Sequence, residues 1–192
     1  MRSDLEAIVK WVPQGARVLD LGCGDGALLR HLWQARQAPG YGVDIEDASV
    51  IACVANDVNV IQADLESGLS LFSDGSFDCV ILSQTLQAMR HTEGILREML
   101  RVGREAVVSF PNFGHWSARL QVALGRMPVS ATLPYEWYET PNVHHCTLRD
   151  FEDLCRRLKV RIRERLVLHE GRPVTVLPNL LGSLAVYRFT SQ

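Results

Sequence analysis

Apolar residues in the first 110 positions follow two alternating spacings. Short apolar runs predict strands at 17–21, 41–44, 58–62, 77–83 and 106–110, and apolar residues three or four apart predict helices at 27–36, 48–55 and 92–102. A further helix precedes the first strand: it has an apolar face, and Ser3 and Glu6 have the spacing of a capping box. Because right-handed crossovers return the chain to the same sheet, this order predicts a three-layer α/β fold with a mostly parallel, doubly wound sheet.

The pattern changes after Pro111. Residues 111–142 are rich in aromatic residues and proline, and within them only 115–124 has helical spacing. Thr147 is then placed to cap a helix at 148–158, with Asp150 in the spacing of a capping box. Alternating strands at 160–168 and 184–189 follow, and the short link between them predicts an antiparallel pair. We expect a single domain over residues 1–192, with 111–142 as a lid or a partner-binding insertion.

Composition narrows the class of protein. The 192 residues are 47% hydrophobic and 22% charged, as in one folded domain. Because 20 Lys and Arg residues face 22 Asp and Glu residues, there is no broad basic field, and we expect no nucleic-acid partner. No apolar run approaches the ~18 residues of a membrane span, and the N-terminus is too polar for a signal peptide. Five cysteines without a C-x-x-C pair fit reduced thiols, so we expect a cytoplasmic protein.

A glycine turn between the first strand and the second helix is the strongest chemical signal. The glycines Gly22, Gly24 and Gly26 lie in the segment VLDLGCGDG, which includes Asp20 and Cys23. Glycine lets the backbone approach a ligand, and the free N–H groups of the following helix favour a nucleotide-like molecule. Gly22, Gly24 and Ala27 also fit the dinucleotide fingerprint G-x-G-x-x-G/A, so that class of ligand is an alternative.

Acidic residues separate the two ligand classes. Asp25 lies inside the loop, where a dinucleotide would place its pyrophosphate, and two like charges at 4 Å cost about 4 kcal/mol at an effective dielectric of 20. S-adenosylmethionine has no phosphate and is cationic, so Asp20 suits it. Other candidate contacts follow later strands: Asp44 for ribose hydroxyls, Asp64 for the adenine amino group and Gln84 for the methionine part, with Ile45 and Leu65 beside the two acids. The sequence favours S-adenosylmethionine or S-adenosylhomocysteine as the cofactor.

Other chemistries have weaker signals. His144, His145 and Cys146 are adjacent, and adjacent ligands cannot easily close one tetrahedron, so we expect no metal site. The segment after the fourth strand, Ser83 to Gln87, lacks the Asn-Pro-Pro-Tyr-like element of enzymes that methylate amide nitrogen. The chain also has no G-x-S-x-G nucleophile motif. No residue is therefore assigned a catalytic role.

The glycine motif and its acids resemble those of the class I S-adenosylmethionine-dependent methyltransferases. The resemblance runs from about residue 18 to residue 110 and is carried by the motif from Asp20 to Gly26. It implies a Rossmann-like sheet of seven strands with the last one antiparallel, in agreement with the predicted C-terminal pair. A shared fold does not by itself imply methyl transfer.

The aromatic region carries a narrower resemblance. The runs FPNFGHW at 110–116 and YEWYETPN at 135–142, with HCT at 145–147, are similar to the MetW family of methionine-biosynthesis proteins. The resemblance implies a protein that binds S-adenosylmethionine or S-adenosylhomocysteine and activates or regulates homoserine O-acyltransferase (MetX), without necessarily being an enzyme. A methyltransferase acting on a small molecule is the alternative. Candidate lid or partner-binding residues are Trp116, Tyr135, Trp137 and Tyr138.

Overall fold

A computed structural model describes residues 2–191 of the chain. Within these residues, eight strands form one sheet: β1 (Val18–Leu21), β2 (Gly40–Asp44), β3 (Val60–Gln62), β4 (Phe77–Ser83), β5 (Gly103–Pro111), β6 (Val160–His169), β7 (Arg172–Pro173) and β8 (Leu184–Ser191). Their order across the sheet is β3-β2-β1-β4-β5-β8-β6-β7. The first five strands pair in parallel, whereas β8 is antiparallel to both β5 and β6. The order reverses between β3 and β4, so β1 and β4 meet at the switch point where open α/β sheets bind ligands.

Helices cover both faces of this sheet. They are α1 (Ser3–Trp11), α2 (Ala27–Arg36), α3 (Asp47–Ala55), α4 (Thr92–Val102), α5 (Trp116–Ala123), α6 (Leu148–Arg157) and the short α7 (Pro178–Leu181). Single 3₁₀ turns occur at Leu65–Ser67 and Leu86–Ala88. Among residues 2–191, no helix is long and apolar enough to cross a membrane.

The strands in the middle of the sheet are buried on both faces. In β4, Cys79 and Ile81 pack with α1 and α2, whereas Val80 and Leu82 pack with α4 and α6. Side chains of a strand alternate between faces, so one apolar run supplies two separate cores. The result is the predicted three-layer arrangement, with α1 and α2 on one side and α4 and α6 on the other.

Most predicted elements are confirmed. The strand at 77–83 and the helices at 27–36 and 92–102 have the predicted bounds, and the capping box of Thr147 and Asp150 forms as expected. The two-residue β7 and the four-residue α7 lie in the predicted link between the last long strands and were not expected.

The capping box predicted at Ser3 and Glu6 is wrong. The helix begins at Ser3 itself, and the capping position belongs to Arg2, whose backbone is extended (φ −61°, ψ 142°). An N-cap residue needs extended backbone for its side chain to reach the amide three positions on. Ser3 is already helical, and it lines a pocket beside the first turn of α1.

Candidate functional site

The glycine turn connects β1 to α2 with three left-handed residues. Gly22, Gly24 and Gly26 have φ of 68°, 56° and 75°. A Cβ atom on Gly22 would lie 2.6 Å from Thr85 Oγ1, and one on Gly26 would lie 2.9 Å from Val58 Cγ2. A Cβ on Gly24 would have no atom of the described chain within 4 Å. Gly22 and Gly26 are thus needed for packing within the protein, whereas Gly24 borders open space.

That space is a cleft of ≈ 530 Å³ at the carboxyl ends of β1 and β4. Its lining includes Asp20 from β1, Gly22 and Gly24 from the loop, Ser83 from the end of β4, and Arg2 from the residue that precedes α1. The cleft volume falls within the ≈ 300–1,000 Å³ typical of small-molecule sites. The structure therefore brings the predicted glycine loop and its first acid to one cleft.

Asp20 is a buried carboxyl group at this cleft. Only 3% of the residue is exposed. Burial raises its pKa to about 7, a rise that the Arg2 guanidinium opposes and the Asp44 carboxylate reinforces. Burial destabilises the ionised form of this carboxyl group, and a cation placed beside it stabilises that form. Asp20 is therefore suited to a ligand group with positive charge, and Arg2 and Arg30 line the same cleft.

Asp44 lies at the end of β2 and holds the glycine loop. Its Oδ2 accepts a hydrogen bond from the Gly24 amide (2.8 Å), and its Oδ1 accepts one from the Glu46 amide (3.1 Å). Each carboxylate oxygen has a second lone pair for a ligand hydroxyl. Ile45, the next residue, is 55% exposed and offers an apolar surface beside the acid.

Asp64 follows β3, the neighbouring strand. Its Oδ1 accepts from the Glu66 amide (2.9 Å), so it caps the 3₁₀ turn that contains Leu65. Asp44 pairs with Gln62 across the two strands, which places both acids at the same edge of the sheet. Both acids also have structural roles, and a role in a local turn leaves their other lone pairs available.

Gln84 leaves β4 with a left-handed backbone (φ 53°). Its amide donates to the Ser109 carbonyl oxygen (2.8 Å), and its side-chain Nε2 lies 3.3 Å from Asp4 Oδ2. The predicted methionine-side residue is thus held by β5 and by the N-terminal helix.

The sequence did not identify Arg2 and Ser83, which line the cleft, or Asp4, which is hydrogen-bonded to both. Asp4 is fully buried, and its Oδ2 accepts from Ser109 Oγ (2.8 Å), Ser83 Oγ (3.1 Å) and Gln84 Nε2 (3.3 Å). Arg2 Nε lies 3.4 Å from its other oxygen. A signal was present, because Asp4 precedes Ile8 by four positions and so shares the buried face of α1. Its interactions fasten the first turn of α1 across the ends of β4 and β5.

The candidate lid or partner-binding side chains are exposed. Trp116 and Tyr135 are each 49% exposed, Trp137 69% and Tyr138 66%. The rings of Trp137 and Tyr138 meet edge to face with centroids 5.7 Å apart. Other exposed apolar residues of the segment include Leu120, Leu124 and Met127. In the part of the chain that the structure describes, neither these side chains nor the predicted cofactor residues Asp44, Asp64 and Gln84 line the cleft, so its lining does not separate a lid from a partner-binding surface.

The histidines and cysteine at 144–146 are held by separate contacts. The Nε2 of His144 lies 3.2 Å from the Arg90 carbonyl oxygen, and the ring of His145 stacks on Phe113 with centroids 4.8 Å apart. Burial raises the pKa of the Cys146 thiol to about 12. Residues 2–191 contain no group of three His, Cys, Asp or Glu side chains placed to hold a metal ion.

Comparison with known proteins decides the family. The family model described as methionine biosynthesis protein MetW matches residues 2–189. This chain belongs to the MetW family. The bifunctional methionine biosynthesis protein MetXA/MetW of Rhodopirellula baltica is 38% identical over 200 residues, which cover 97% of this chain and 32% of that protein.

Methyltransferases are also among the proteins that this MetW-family chain resembles. The ubiquinone/menaquinone biosynthesis C-methyltransferase UbiE of Pseudomonas savastanoi is 36% identical over 114 residues, or 52% of this chain and 43% of that protein. The chain thus spans less than half the length of each of these curated relatives. An S-adenosylmethionine-dependent methyltransferase from Mesorhizobium loti shares the fold, with a TM-score of 0.74, 18% identity and coverage of 98% and 97% of the two chains. The class I methyltransferase fold predicted from the glycine motif is confirmed.

Proposed function

We propose that this MetW-family protein is a regulatory subunit that binds S-adenosylmethionine or S-adenosylhomocysteine and associates with homoserine O-acyltransferase (MetX). The observation that carries the proposal is the Rhodopirellula relative, whose name joins MetXA and MetW in a single chain. This chain matches about a third of that relative. Fusion of a MetX part and a MetW part in one chain is consistent with two proteins that act together. Where the two are separate chains, they need a binding surface to associate.

The cofactor cleft supports the first half of the proposal. Gly24 leaves room for a ligand beside the backbone, and the buried Asp20 favours a positive charge. We assign Asp44 with Ile45 to the ribose and adenine side, Asp64 with Leu65 to the adenine amino group, and Gln84 to the methionine side. The loop residues Gly22, Cys23 and Gly26 complete the assignment by shaping the turn. The bound cofactor would supply an activated methyl group, and these residues of the chain would bind and orient it.

The aromatic segment supports the second half. Trp and Tyr side chains with this exposure are the residue types that dominate the binding energy of protein interfaces. Isolated exposed apolar residues are common, but several large ones within residues 116–138 mark a candidate interaction site. We assign Trp116, Tyr135, Trp137 and Tyr138 to contacts with the acyltransferase.

A small-molecule methyltransferase is the second candidate. The fold favours it, and so does the polar group of Asp4, Ser83 and Ser109 at the ends of α1, β4 and β5. However, Oδ2 of Asp4 already accepts from four side chains, those of Arg2, Ser83, Gln84 and Ser109, whereas the buried Oδ1 has no hydrogen-bond partner within residues 2–191. Since methyl transfer can proceed mainly by positioning, occupation of this carboxylate weighs only moderately against catalysis.

Two measurements separate the candidates. Titration of the purified chain into the acyltransferase should give a saturable complex and a changed rate of homoserine acylation. Incubation of S-adenosylmethionine with the chain and a metabolite mixture should leave the methyl donor unconsumed. Methyl consumption without association would replace the subunit assignment by a methyltransferase, and absence of both would remove both assignments.

A further inference from the structure

A second pocket, of ≈ 360 Å³, lies on the other side of the first turn of α1. Ser3 lines this second pocket, whereas its neighbours Arg2 and Leu5 line the cofactor cleft. The first turn of α1 therefore separates the two spaces. The second pocket is at the lower end of the ≈ 300–1,000 Å³ range for ligand sites, so it would take a small molecule.

Two stacked histidines form one wall of the second pocket. The rings of His115 and His169 lie with centroids 4.8 Å apart and planes 27° apart. Their Nδ1 atoms pair with Ser117 Oγ (2.8 Å) and Ser183 Oγ (3.2 Å). Only 7% of His115 is exposed, and its Nε2 is buried with no hydrogen-bond partner in residues 2–191. Buried ring nitrogens are normally satisfied, so an unpartnered one at a pocket points to a missing partner.

The beginnings of two helices meet at the same pocket. Ser3 is the first residue of α1, and His115 and Ser117 flank the first residue of α5. Neither helix has a side-chain cap within the described chain. Uncapped N-termini present free N–H groups and partial positive charge, and both features favour an anionic group. Ser130 and Thr132 add hydroxyl groups to the lining.

One carboxylate and two leucines complete the lining. Glu170 is the acidic residue among the lining side chains of residues 2–191, and Leu168 and Leu184 give an apolar surface. An α-amino acid requires three features: hydrogen-bond donors for its carboxylate, an acceptor for its ammonium group and an apolar surface for its side chain. A simple anion such as phosphate would instead be repelled by Glu170.

We propose that this second pocket binds a small α-amino acid. Its carboxylate contacts the starts of α1 and α5 and the histidine pair, its ammonium group pairs with Glu170, and its side chain lies against Leu168 and Leu184. This site is separate from the proposed cofactor cleft. A ligand here would contact the same turn of α1 that Asp4 fastens to β4 and β5.

Calorimetric titration of the intact protein tests the proposal. The probes are L-homoserine and L-methionine, with L-methionine methyl ester, which lacks the carboxylate charge, and N-acetyl-L-methionine, which lacks the ammonium charge. All titrations are run with saturating S-adenosylhomocysteine, so that the cofactor cleft does not take up free methionine. We expect at least one free amino acid to bind, and both derivatives of methionine to bind at least tenfold more weakly than methionine if methionine is that ligand.

Matched variants locate the binding. Glu170→Gln and His169→Ala should each weaken amino-acid binding at least tenfold, whereas the exposed controls Glu139→Gln and His144→Ala should not change it. The imidazole ¹⁵N resonances of His115 and His169 should shift on addition of the amino acid, a response that a purely structural role would not produce. Unfolding of a variant is excluded by its melting temperature.

Three results with these probes and variants would overturn the proposal. They are no binding by either amino acid, equal binding by the derivatives, and binding that persists unchanged in Glu170→Gln and His169→Ala. Binding of acetate or phosphate alone would show a plain anion site and would also contradict it. Cofactor binding is measured separately, so failure here is distinguishable from failure of the proposed cofactor cleft.

Discussion

The carboxylate of Asp44 has two tasks, and truncation to alanine removes both. It accepts the Gly24 amide within the protein and is proposed to accept ribose hydroxyls. Loss of a charged hydrogen-bond acceptor costs about 1.5 to 3 kcal/mol, so Asp44→Ala should weaken S-adenosylhomocysteine binding by roughly ten- to a hundredfold. Calorimetry gives the affinity, and Asp153→Ala at an exposed position of α6 is the control. Equal affinities of Asp44→Ala and the wild type would remove Asp44 from the site.

A buried acid with a raised pKa makes cofactor binding depend on pH. Because the pKa of Asp20 is about 7 in the free protein and a bound cation would lower it, binding should release a proton and strengthen as pH rises. Between about pH 6 and about pH 7.5 the affinity for S-adenosylmethionine should rise roughly five- to tenfold. Asp20→Asn should remove this rise and leave only the titration of the ligand itself. An unchanged pH profile in the variant would show that Asp20 does not sense the ligand.

At the scale of elements, the glycine turn allows a clean comparison. Gly24 and Gly15 both have positive φ and open space for a Cβ, but only Gly24 lines the cleft. A β-branched residue in this backbone region costs of order 1–3 kcal/mol, so Gly24→Val and Gly15→Val should lower the melting temperature by similar amounts. Only Gly24→Val should lose cofactor binding. Retained affinity in folded Gly24→Val would show that this glycine serves the turn alone.

The elements also show why sequence reading succeeded in some places and failed in others. The strand at 77–83 has apolar residues for both faces of the sheet, so its bounds follow from the chain itself. Thr147 caps α6 as predicted because its backbone is extended, whereas Ser3 was misassigned because the start of α1 depends on contacts of Asp4 far along the chain. Likewise, the pairing of His115 with His169 joins two distant segments that no local spacing connects.

Some residues of the candidate site are also predictable from local sequence signals, whereas others are not. The acids at the ends of β1, β2 and β3 were identifiable because each follows a strand and the ends of parallel strands share an edge. Asp4 and Ser109 contribute through tertiary contact, and their sequence neighbours carry no motif for it. Sequence therefore predicts positions along the sheet edge better than it predicts side chains brought there by the N-terminal helix.

For the whole molecule, the proposed cofactor and partner are linked by thermodynamics. If S-adenosylmethionine changes the affinity for the acyltransferase by some factor, the acyltransferase must change the affinity for S-adenosylmethionine by the same factor. The first turn of α1 lies between the cofactor cleft and the second pocket. The cofactor and the proposed amino acid would therefore both act on this turn. Titrations of S-adenosylmethionine with and without the acyltransferase, and of the acyltransferase with and without S-adenosylmethionine, measure this factor, and a factor of one would show that the two sites are not coupled.

The partner surface gives the last prediction, which concerns Trp137. This side chain is 69% exposed and does not line the cofactor cleft of the described chain, so its truncation should leave cofactor affinity unchanged. Truncation of an interface tryptophan typically costs about 2 kcal/mol or more, so Trp137→Ala should weaken acyltransferase binding by roughly thirtyfold. Trp33→Ala is the matched control, because Trp33 is also exposed, at 58%, but lies on α2 outside the aromatic segment. Binding titrations and acylation rates with each variant provide the measurement. Unchanged acyltransferase binding in Trp137→Ala would place the interface away from this residue, and a loss of cofactor affinity in Trp137→Ala alone would favour a lid.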